Sequence, residues 1–333
     1  MDYLRAYSFH GCYPIRQSSS NALGDCRLCG SYEHFSIAIN SGLFRCFKCE
    51  ASGNLYTYLR LLWEKLSRDF WIDSRLGWTR LKALASERGI NSHLLRDYGF
   101  VYDPFLSHWV LPIYAPAWNQ DRVTVNSSSP RKLVNLKRWV NYDGKRQFHG
   151  TPCCSTHLFN LDRILRQNPG LLVTERHGDA TVRDPSEHLQ IHVCEGEWDT
   201  LALVGVLGPS ALVVGSPGAN SFRRDWVDYV RLAPPDLLWN FLYDHDDAGL
   251  SGYESVASRL ADASVRRTRS IGPGGTGPGR DLLSQARFLI WDKDRSYGFD
   301  VRDLCNELNH DRIAVLSYLN SRLRRRNFHE GEE

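Results

Sequence analysis

Two Cys-x-x-Cys pairs near the amino terminus constrain this chain more than any other feature. Cys26 and Cys29 form one pair and Cys46 and Cys49 the other, with sixteen residues between them. Each pair can turn two thiolates onto one ion, and two pairs supply the four-sulfur tetrahedral set that a structural Zn²⁺ prefers. The surrounding segment, residues 1 to about 52, is rich in Cys, Gly, Ser and aromatics, which suits a small domain held by a staple rather than by a large core. His10 and Cys12 lie close enough in sequence to be weighed as substitute ligands. The chain carries nine cysteines in 333 residues, and an odd count without a secretory signal points to a reducing compartment rather than a disulfide framework.

Between and beside the knuckles stand Phe35, Phe44, Arg45, Phe47 and Lys48. Aromatic and basic residues on a small ribbon can stack on and neutralise single-stranded nucleic acid. Phe35 and Phe44 fit equally well as ribbon packing, so Arg45 and Lys48 are the better candidates for contact. Net charge over the whole chain is only +3, from 41 basic and 38 acidic residues, so affinity for nucleic acid has to come from such local patches. Hydrophobic residues make up 42% and charged residues 24%, which excludes a wholly disordered or collagen-like chain. The longest apolar stretch, Leu201 to Gly215, is broken by Gly208-Pro209-Ser210 and is too short for a membrane span.

Beyond the cysteines, apolar residues at 55, 58, 59, 62 and 66 form a helical stripe after the Gly53-Asn54 turn. Short helices are expected over Trp78 to Glu87 and Ser92 to Tyr98, then a strand over His108 to Tyr114. From 121 to 150 the pattern predicts a curved antiparallel sheet with a turn at Tyr142-Asp143-Gly144. A second region starts near 188 with a clear rhythm: strand Leu189 to Cys194, helix Thr200 to Leu207, strand Ala211 to Gly215, helix Phe222 to Leu232, strand Leu237 to Tyr243, helix Gly249 to Ala261. Strands alternating with helices predict a parallel sheet with helices on its faces. Ile271 to Arg280 and the tail from Asn320 read as loops, and no Gly-Lys-Ser/Thr follows the glycine run, so it is not a P-loop.

Two acidic segments fall at the ends of these strands. Glu195-Gly196-Glu197-Trp198-Asp199 follows the strand ending at Cys194, and Asp244-His245-Asp246-Asp247-Ala248-Gly249 follows the one ending at Tyr243. Open α/β sheets place their ligands at these carboxyl ends. If the two strands are neighbours, Glu195, Asp244 and Asp246 converge. Three close carboxylates repel one another unless a divalent cation sits among them, and hard oxygen ligands favour Mg²⁺ or Mn²⁺. Such a cluster suits phosphoryl or nucleotidyl transfer. Taken singly, each acidic segment is equally well a helix N-cap.

These residues carry a family resemblance. Val193 to Asp199 and Tyr243 to Gly249 resemble the glutamate motif and the Asp-x-Asp motif of a TOPRIM domain. Cys46-Phe47-Lys48-Cys49-Glu50-Ala51-Ser52-Gly53-Asn54 resembles part of the zinc ribbon of DnaG-type bacterial and phage DNA primases, and the order ribbon, middle segment, TOPRIM matches as well. The resemblance covers about 20 to 310. It implies an α/β fold class with α+β amino-terminal parts: a four-cysteine zinc ribbon over 1–66, a basic subdomain over 67–185, a parallel-sheet TOPRIM catalytic domain over 186–310 and a tail over 311–333. It implies structural Zn²⁺ on the four cysteines, catalytic Mg²⁺ or Mn²⁺ on Glu195, Asp244 and Asp246, and Asp199 completing the first motif. It also implies that the basic run Arg131, Lys132, Lys137, Arg138, Lys145 and Arg146 faces phosphates, with Lys137 and Arg138 the first choices.

The implied partners are a single-stranded DNA template, nucleoside triphosphates and a separate replicative helicase, in the cytoplasm of a bacterial or phage-infected cell and away from membranes. Three departures stand out. The family's short Lys-Asp segment is expected after a strand near Val265 to Ile271, and here it matches either Arg280-Asp281 or Asp300-Val301-Arg302-Asp303, with Phe299 where the lysine belongs; the second match, with Asp300 and Asp303, is the favoured one and adds Asp300 to the implied Mg²⁺ ligands. The segment after the TOPRIM is too short for a helicase-binding domain. His245 stands where many relatives have a small residue, and is expected to fill space or meet nucleotide rather than metal. Two other readings stay open: a TOPRIM metal-dependent nuclease, and a non-catalytic zinc/TOPRIM DNA-binding recombination mediator.

Overall fold

The computed structural model describes residues 1–116, 131–142, 145–168, 171, 189–270 and 281–325. Asp143 and Gly144 of the predicted turn, the glycine run from Ile271 to Arg280 and the tail from Arg326 lie outside them. Contacts divide the chain into two units, one holding Met1–Ala115 and Arg131–His157 and the other the residues from Leu158 onward.

In the first unit, helix α1 (Tyr3–Ser8) precedes an antiparallel sheet of five short strands in sequence order: β1 (Pro14–Gln17), β2 (Asn21–Gly24), β3 (Phe35–Ala38), β4 (Phe44–Cys46) and β5 (Ser52–Gly53). Period-2 alternation turns Phe35 and Ile37 of β3, and Phe44 and Cys46 of β4, inward and leaves Arg45 outside. Phe35 and Phe44 stack at 5.3 Å and meet the rings of Tyr7 and Tyr58. Both phenylalanines therefore pack the ribbon, whereas Phe47 is 60% exposed.

Asn54 caps α2 (Leu55–Trp71) by accepting from the Thr57 amide at 3.0 Å. Its buried stripe of Leu55, Tyr58, Leu59, Leu62, Leu66 and Phe70 extends one turn beyond the sequence expectation. Helices α3 (Ser74–Arg88) and α4 (Ser92–Asp97) follow, capped by Asp73 and Asn91. A four-stranded antiparallel sheet completes the unit, in the order β6 (Val101–Asp103), β7 (His108–Ala115), β8 (Lys132–Tyr142), β9 (Lys145–Gly150).

In the second unit α5 (Leu161–Gln167) precedes the predicted alternation: β10 (Gln190–Glu195), α6 (Glu197–Leu207), β11 (Val213–Ser216), α7 (Val227–Leu232), β12 (Leu238–Leu242) and α8 (Asp247–Ser270). Then come β13 (Ala286–Leu289), α9 (Val301–Glu307), α10 (Arg312–Arg322) and β14 (Leu323–Arg324). The sheet order is β11-β10-β12-β13-β14, parallel throughout except for the antiparallel edge strand β14. Ile191, Val193, Trp239, Phe241 and Phe288 of the strands share the core with Phe222, Trp226 and Tyr253.

Two expectations are corrected here. Val265 to Ser270 continue α8 instead of forming a strand: Arg266-Arg267-Thr268-Arg269-Ser270 offers no apolar alternation, and no Gly or Pro interrupts the helix before Gly272. The strand after the Asp-x-Asp helix is β13. The tail from Asn320 is not wholly loop, since it finishes α10 and adds β14, whose Leu323 is buried against β13.

Candidate active site and metal centre

Cys26, Cys29, Cys46 and Cys49 bring their sulfurs within 4.8 Å of one another. Cys26 Sγ lies 4.0 Å from Cys49 Sγ and Cys29 Sγ lies 3.8 Å from Cys46 Sγ, too far for a disulfide. A tetrahedral ion with metal–sulfur bonds of about 2.3 Å sets its sulfurs about 3.8 Å apart, so the four fit Zn²⁺. Burial opposes the Cys46 thiolate, but the Cys49 and Lys48 amides and the Ser31 hydroxyl outweigh it and bring its pKa down to about 6. Neither substitute ligand is used: the Cys12 thiol pairs with the Tyr58 hydroxyl at 2.9 Å, and His10 faces Arg138 and Thr151.

The acidic motifs sit at the carboxyl ends of β10 and β12, which are neighbours with Cys194 opposite Leu242. Glu195 is the last residue of β10. Gly196, at φ +108°, makes the turn into α6 in a conformation that favours glycine. Across the gap the Asp244 amide donates to Glu195 Oε2 at 3.3 Å. Gly249 lets the first turn of α8 close over Asp244, since a Cβ there would collide with the Asp244 carbonyl oxygen. Asp246 serves that helix as a cap, its Oδ1 accepting from the Gly249 amide at 2.7 Å.

The loop before α9 brings the third acidic segment to the same edge. The His245 amide donates to the Phe299 carbonyl at 2.9 Å and the Gly298 amide to the His245 carbonyl at 2.8 Å. His245 thus anchors a loop through its backbone, and its Nδ1 lies 3.3 Å from the Ser296 carbonyl. Asp300 caps α9 by accepting from the Asp303 amide at 2.7 Å, and the Arg302 amide donates to Asp199 Oδ1 at 3.3 Å. Asp281 precedes β13, at the opposite end of the strands from Asp244. Of the two alternatives for the Lys-Asp segment, the Asp300 segment therefore lies at the acidic edge.

Charge accumulates at this edge. Burial, then Glu195, Asp300 and Asp246, push the Asp244 carboxyl up to about 9. Burial and Asp303, followed by Glu195, raise Asp300 to about 6. Asp199, only 6% exposed, is raised by burial and then by Asp300 and Asp244. Glu195 is raised by burial and by Asp246 against two backbone donors. Asp244 Oδ1 is buried without a hydrogen-bond partner among the described residues. The carboxylate oxygens do not draw together as tightly as the four sulfurs, which are the one such cluster among the described residues. An open acidic edge with an unpartnered oxygen suits a hydrated divalent cation, which keeps several waters among its ligands.

The basic run divides. Arg138, a first choice for phosphate contact, is 0% exposed and ion-pairs with Asp103 at 2.9 Å; Lys137 is buried as well. This corrects the reading of both: β8 lies between β7 and β9 and packs against α2, so its middle belongs to the core. Arg131 stacks on Tyr114 at 3.7 Å, Lys132 is exposed, and Arg146 pairs with Glu87 at 2.8 Å on the surface. Lys145 lies in β9, with its side chain outside the described residues. On the ribbon Arg45 and Lys48 are exposed, Arg45 5.7 Å from the Phe47 ring. Sequence reasoning missed Arg27, inside the first knuckle, whose guanidinium reaches Asp103 at 2.8 Å, and Arg302, inside the Asp300 segment.

Fold and site define an α/β protein with a four-cysteine ribbon and an acidic edge on a mixed sheet. Its fold is that of the DnaG-type primase core: the structure of the DnaG catalytic core superposes with a TM-score of 0.50 at 13% identity, covering 80% of this chain and 79% of that one. The resemblance read from the motifs is thus borne out as a likeness of fold. Also similar are the zinc-binding and RNA polymerase domains of the Aquifex aeolicus primase (TM-score 0.46, 14% identity, 97% of this chain and 83% of that one). The primase fragment of the bacteriophage T7 primase-helicase protein is a further relative in structure (0.40, 16%, 89% and 98%). No family model and no curated protein matches the chain. Among the described residues no helix is long and apolar enough to cross a membrane.

Proposed function

We propose that this chain is a template-directed DNA primase that makes short primers on single-stranded DNA from nucleoside triphosphates. The observation that carries the reading is the meeting of Glu195 and Asp244 at the ends of adjacent parallel strands, with a buried, unpartnered Asp244 oxygen, in a fold shared with the DnaG catalytic core.

Glu195, Asp244 and Asp246 would hold Mg²⁺ or Mn²⁺, with Asp199 supporting them from α6. When bound, such ions orient an attacking hydroxyl and offset charge on the phosphate. The reaction joins the 3′-hydroxyl of one nucleotide to the α-phosphate of the next and releases pyrophosphate. Glu195 ends β10, and Asp244, two residues beyond β12, is tied to it through its amide, so the acidic groups are anchored to adjacent strands of the sheet. Zn²⁺ on the four cysteines sets the knuckles, from which Arg45 and Lys48 reach the template backbone. Arg131, Lys132, Lys145 and Arg146 remain candidates for phosphate contact in the basic segment. We further propose a separate replicative helicase as partner and a cytoplasmic location.

Purified protein incubated with Mg²⁺, nucleoside triphosphates and templates spanning the possible start trinucleotides is expected to yield short oligonucleotides. Metal-dependent cleavage without synthesis would replace this reading with that of a nuclease. Single-stranded DNA binding without either activity would favour a recombination mediator.

A further inference from the structure

We infer that Arg302 is a positioning residue that tempers the acidic edge: its guanidinium is the resident counter-charge of Asp300 and competes with a divalent ion for that carboxylate beside Glu195 and Asp244. The inference rests on the metal-dependent reading above and names a control on it.

Both oxygens of Asp300 accept a hydrogen bond. Its Oδ1 accepts from the Asp303 amide at 2.7 Å as the cap of α9, and its Oδ2 accepts from Arg302 Nη2 at 2.8 Å. The Asp300 amide in turn donates to the Asp303 carboxylate at 3.4 Å, closing a capping box that fixes the turn. Asp244, by contrast, keeps one buried oxygen without a partner. The acidic edge is thus asymmetric: the Glu195 and Asp244 side is ready for a cation, and the Asp300 side already carries one of its own. Arg302 also binds Asp199 through its backbone amide at 3.3 Å, so the residue that masks Asp300 is fastened to the first acidic motif.

A guanidinium and a divalent ion on the same carboxylate repel each other, so Arg302 at Asp300 Oδ2 competes with a cation for the Asp300 charge. The charge-assisted bond gives the protein a cost to overcome on the Asp300 side, and removing Arg302 removes that cost without touching Glu195 or Asp244. Changes in groups that orient a metal ligand typically move affinity about 10–100-fold. Here the movement is toward tighter binding, because the altered group competes with the metal. Arg302 is mostly buried, but its side chain keeps 20% of its surface, so a shorter polar residue can be accommodated.

The test is Mn²⁺ binding to the zinc-loaded full chain, followed by electron paramagnetic resonance of the free ion. Arg302→Gln is expected to bind Mn²⁺ about tenfold more tightly than the parent. Adding Asp300→Asn to Arg302→Gln is expected to return the affinity to the parental value, since Asn keeps the helix cap but loses the anionic ligand. Arg302→Lys, which keeps the charge but not the fork geometry, is expected to tighten binding by a smaller factor and carries the test should the Gln variant fail to fold. Parental affinity in both Arg302→Gln and Arg302→Lys, while Asp244→Asn weakens binding, overturns this inference and leaves the metal-dependent reading standing. If Asp244→Asn has no effect on Mn²⁺ binding in the parent, the metal-dependent reading falls, and this inference with it.

Discussion

Arg138 and Asp103 form an ion pair out of reach of solvent, with Arg138 Nη1 2.9 Å from Asp103 Oδ2 and both side chains fully buried. Arg27 adds a second guanidinium from the first cysteine knuckle, its Nη2 2.8 Å and 2.9 Å from the two Asp103 oxygens. Arg138 Nε donates to His10 Nδ1 at 3.1 Å, so His10 carries its proton on Nε2, 2.8 Å from the Thr151 hydroxyl, which donates to the Leu136 carbonyl at 2.9 Å. The zinc ribbon and the four-stranded sheet are therefore joined through one buried polar chain, in which burial opposes the Asp103 carboxylate but Arg138 and Arg27 outweigh it and lower its pKa below the ordinary value.

Truncating Arg138 takes one of two guanidiniums from the buried Asp103 and removes the donor to His10 Nδ1. Arg138→Ala is expected to lower stability by about 3–5 kcal/mol, since Asp103 then keeps only Arg27. Urea unfolding followed by circular dichroism measures this, and a change below about 1 kcal/mol would contradict the buried pairing.

Removal of zinc acts on the same junction. The parent is expected to carry about one Zn²⁺ per chain and Cys46→Ser none, because a structural site loses its affinity with its fourth sulfur. Atomic absorption gives the content. Retention of stoichiometric zinc by the Ser variant would show that the ion, if any, is held elsewhere.

The exposed bases of the ribbon should show themselves in salt dependence. Each phosphate contact to a single strand contributes about 0.7 to the slope of log affinity against log salt, so Arg45→Ala with Lys48→Ala is expected to lower the slope by about 1.4. Fluorescence anisotropy of a labelled oligonucleotide over a salt series reads it. An unchanged slope would remove both residues from the interface.

Buried histidine sets an acid limit on stability. Burial, and then Arg287, bring the His192 pKa down from 6.5 to about 4 in the folded chain. Because the folded value is the lower one, the unfolded chain binds the extra proton between these values; the stabilisation is complete above pH 6.5 and is lost as pH falls toward 4. The loss from this residue is on the order of 3 kcal/mol. Denaturation midpoints measured from neutral pH down to the folded pKa should fall more steeply for the parent than for His192→Gln, and parallel curves would contradict the assignment.

What could be read from the chain alone was what local pattern encodes. Two Cys-x-x-Cys pairs mark a metal site because each pair makes its own turn, and β10, α6, β11, β12 and the start of α8 follow from periodicity. Long-range pairing was not legible. Lys137 and Arg138 look like a solvated basic run, and only the placement of β8 between β7 and β9 turns them into core. Sequence favours Asp300 only slightly over Asp281; register decides which of them shares an edge with Asp244. Nor does local pattern show which strand follows α8: the helix runs on to Ser270, and only the pairing of β13 with β12 identifies that strand.

The central claim is that Asp244 works on an acidic edge that directs nucleotide joining. The direct measurement is primer synthesis by the parent and by Asp244→Asn on single-stranded templates with Mg²⁺, with zinc content and melting temperature taken on the same samples. Relieving the like-charge crowding around Asp244 should leave the fold at least as stable, so the account predicts short oligonucleotides from the parent and none from a folded, zinc-loaded Asn variant. Synthesis undiminished in that variant, or no product from the parent across templates and metals, would contradict it.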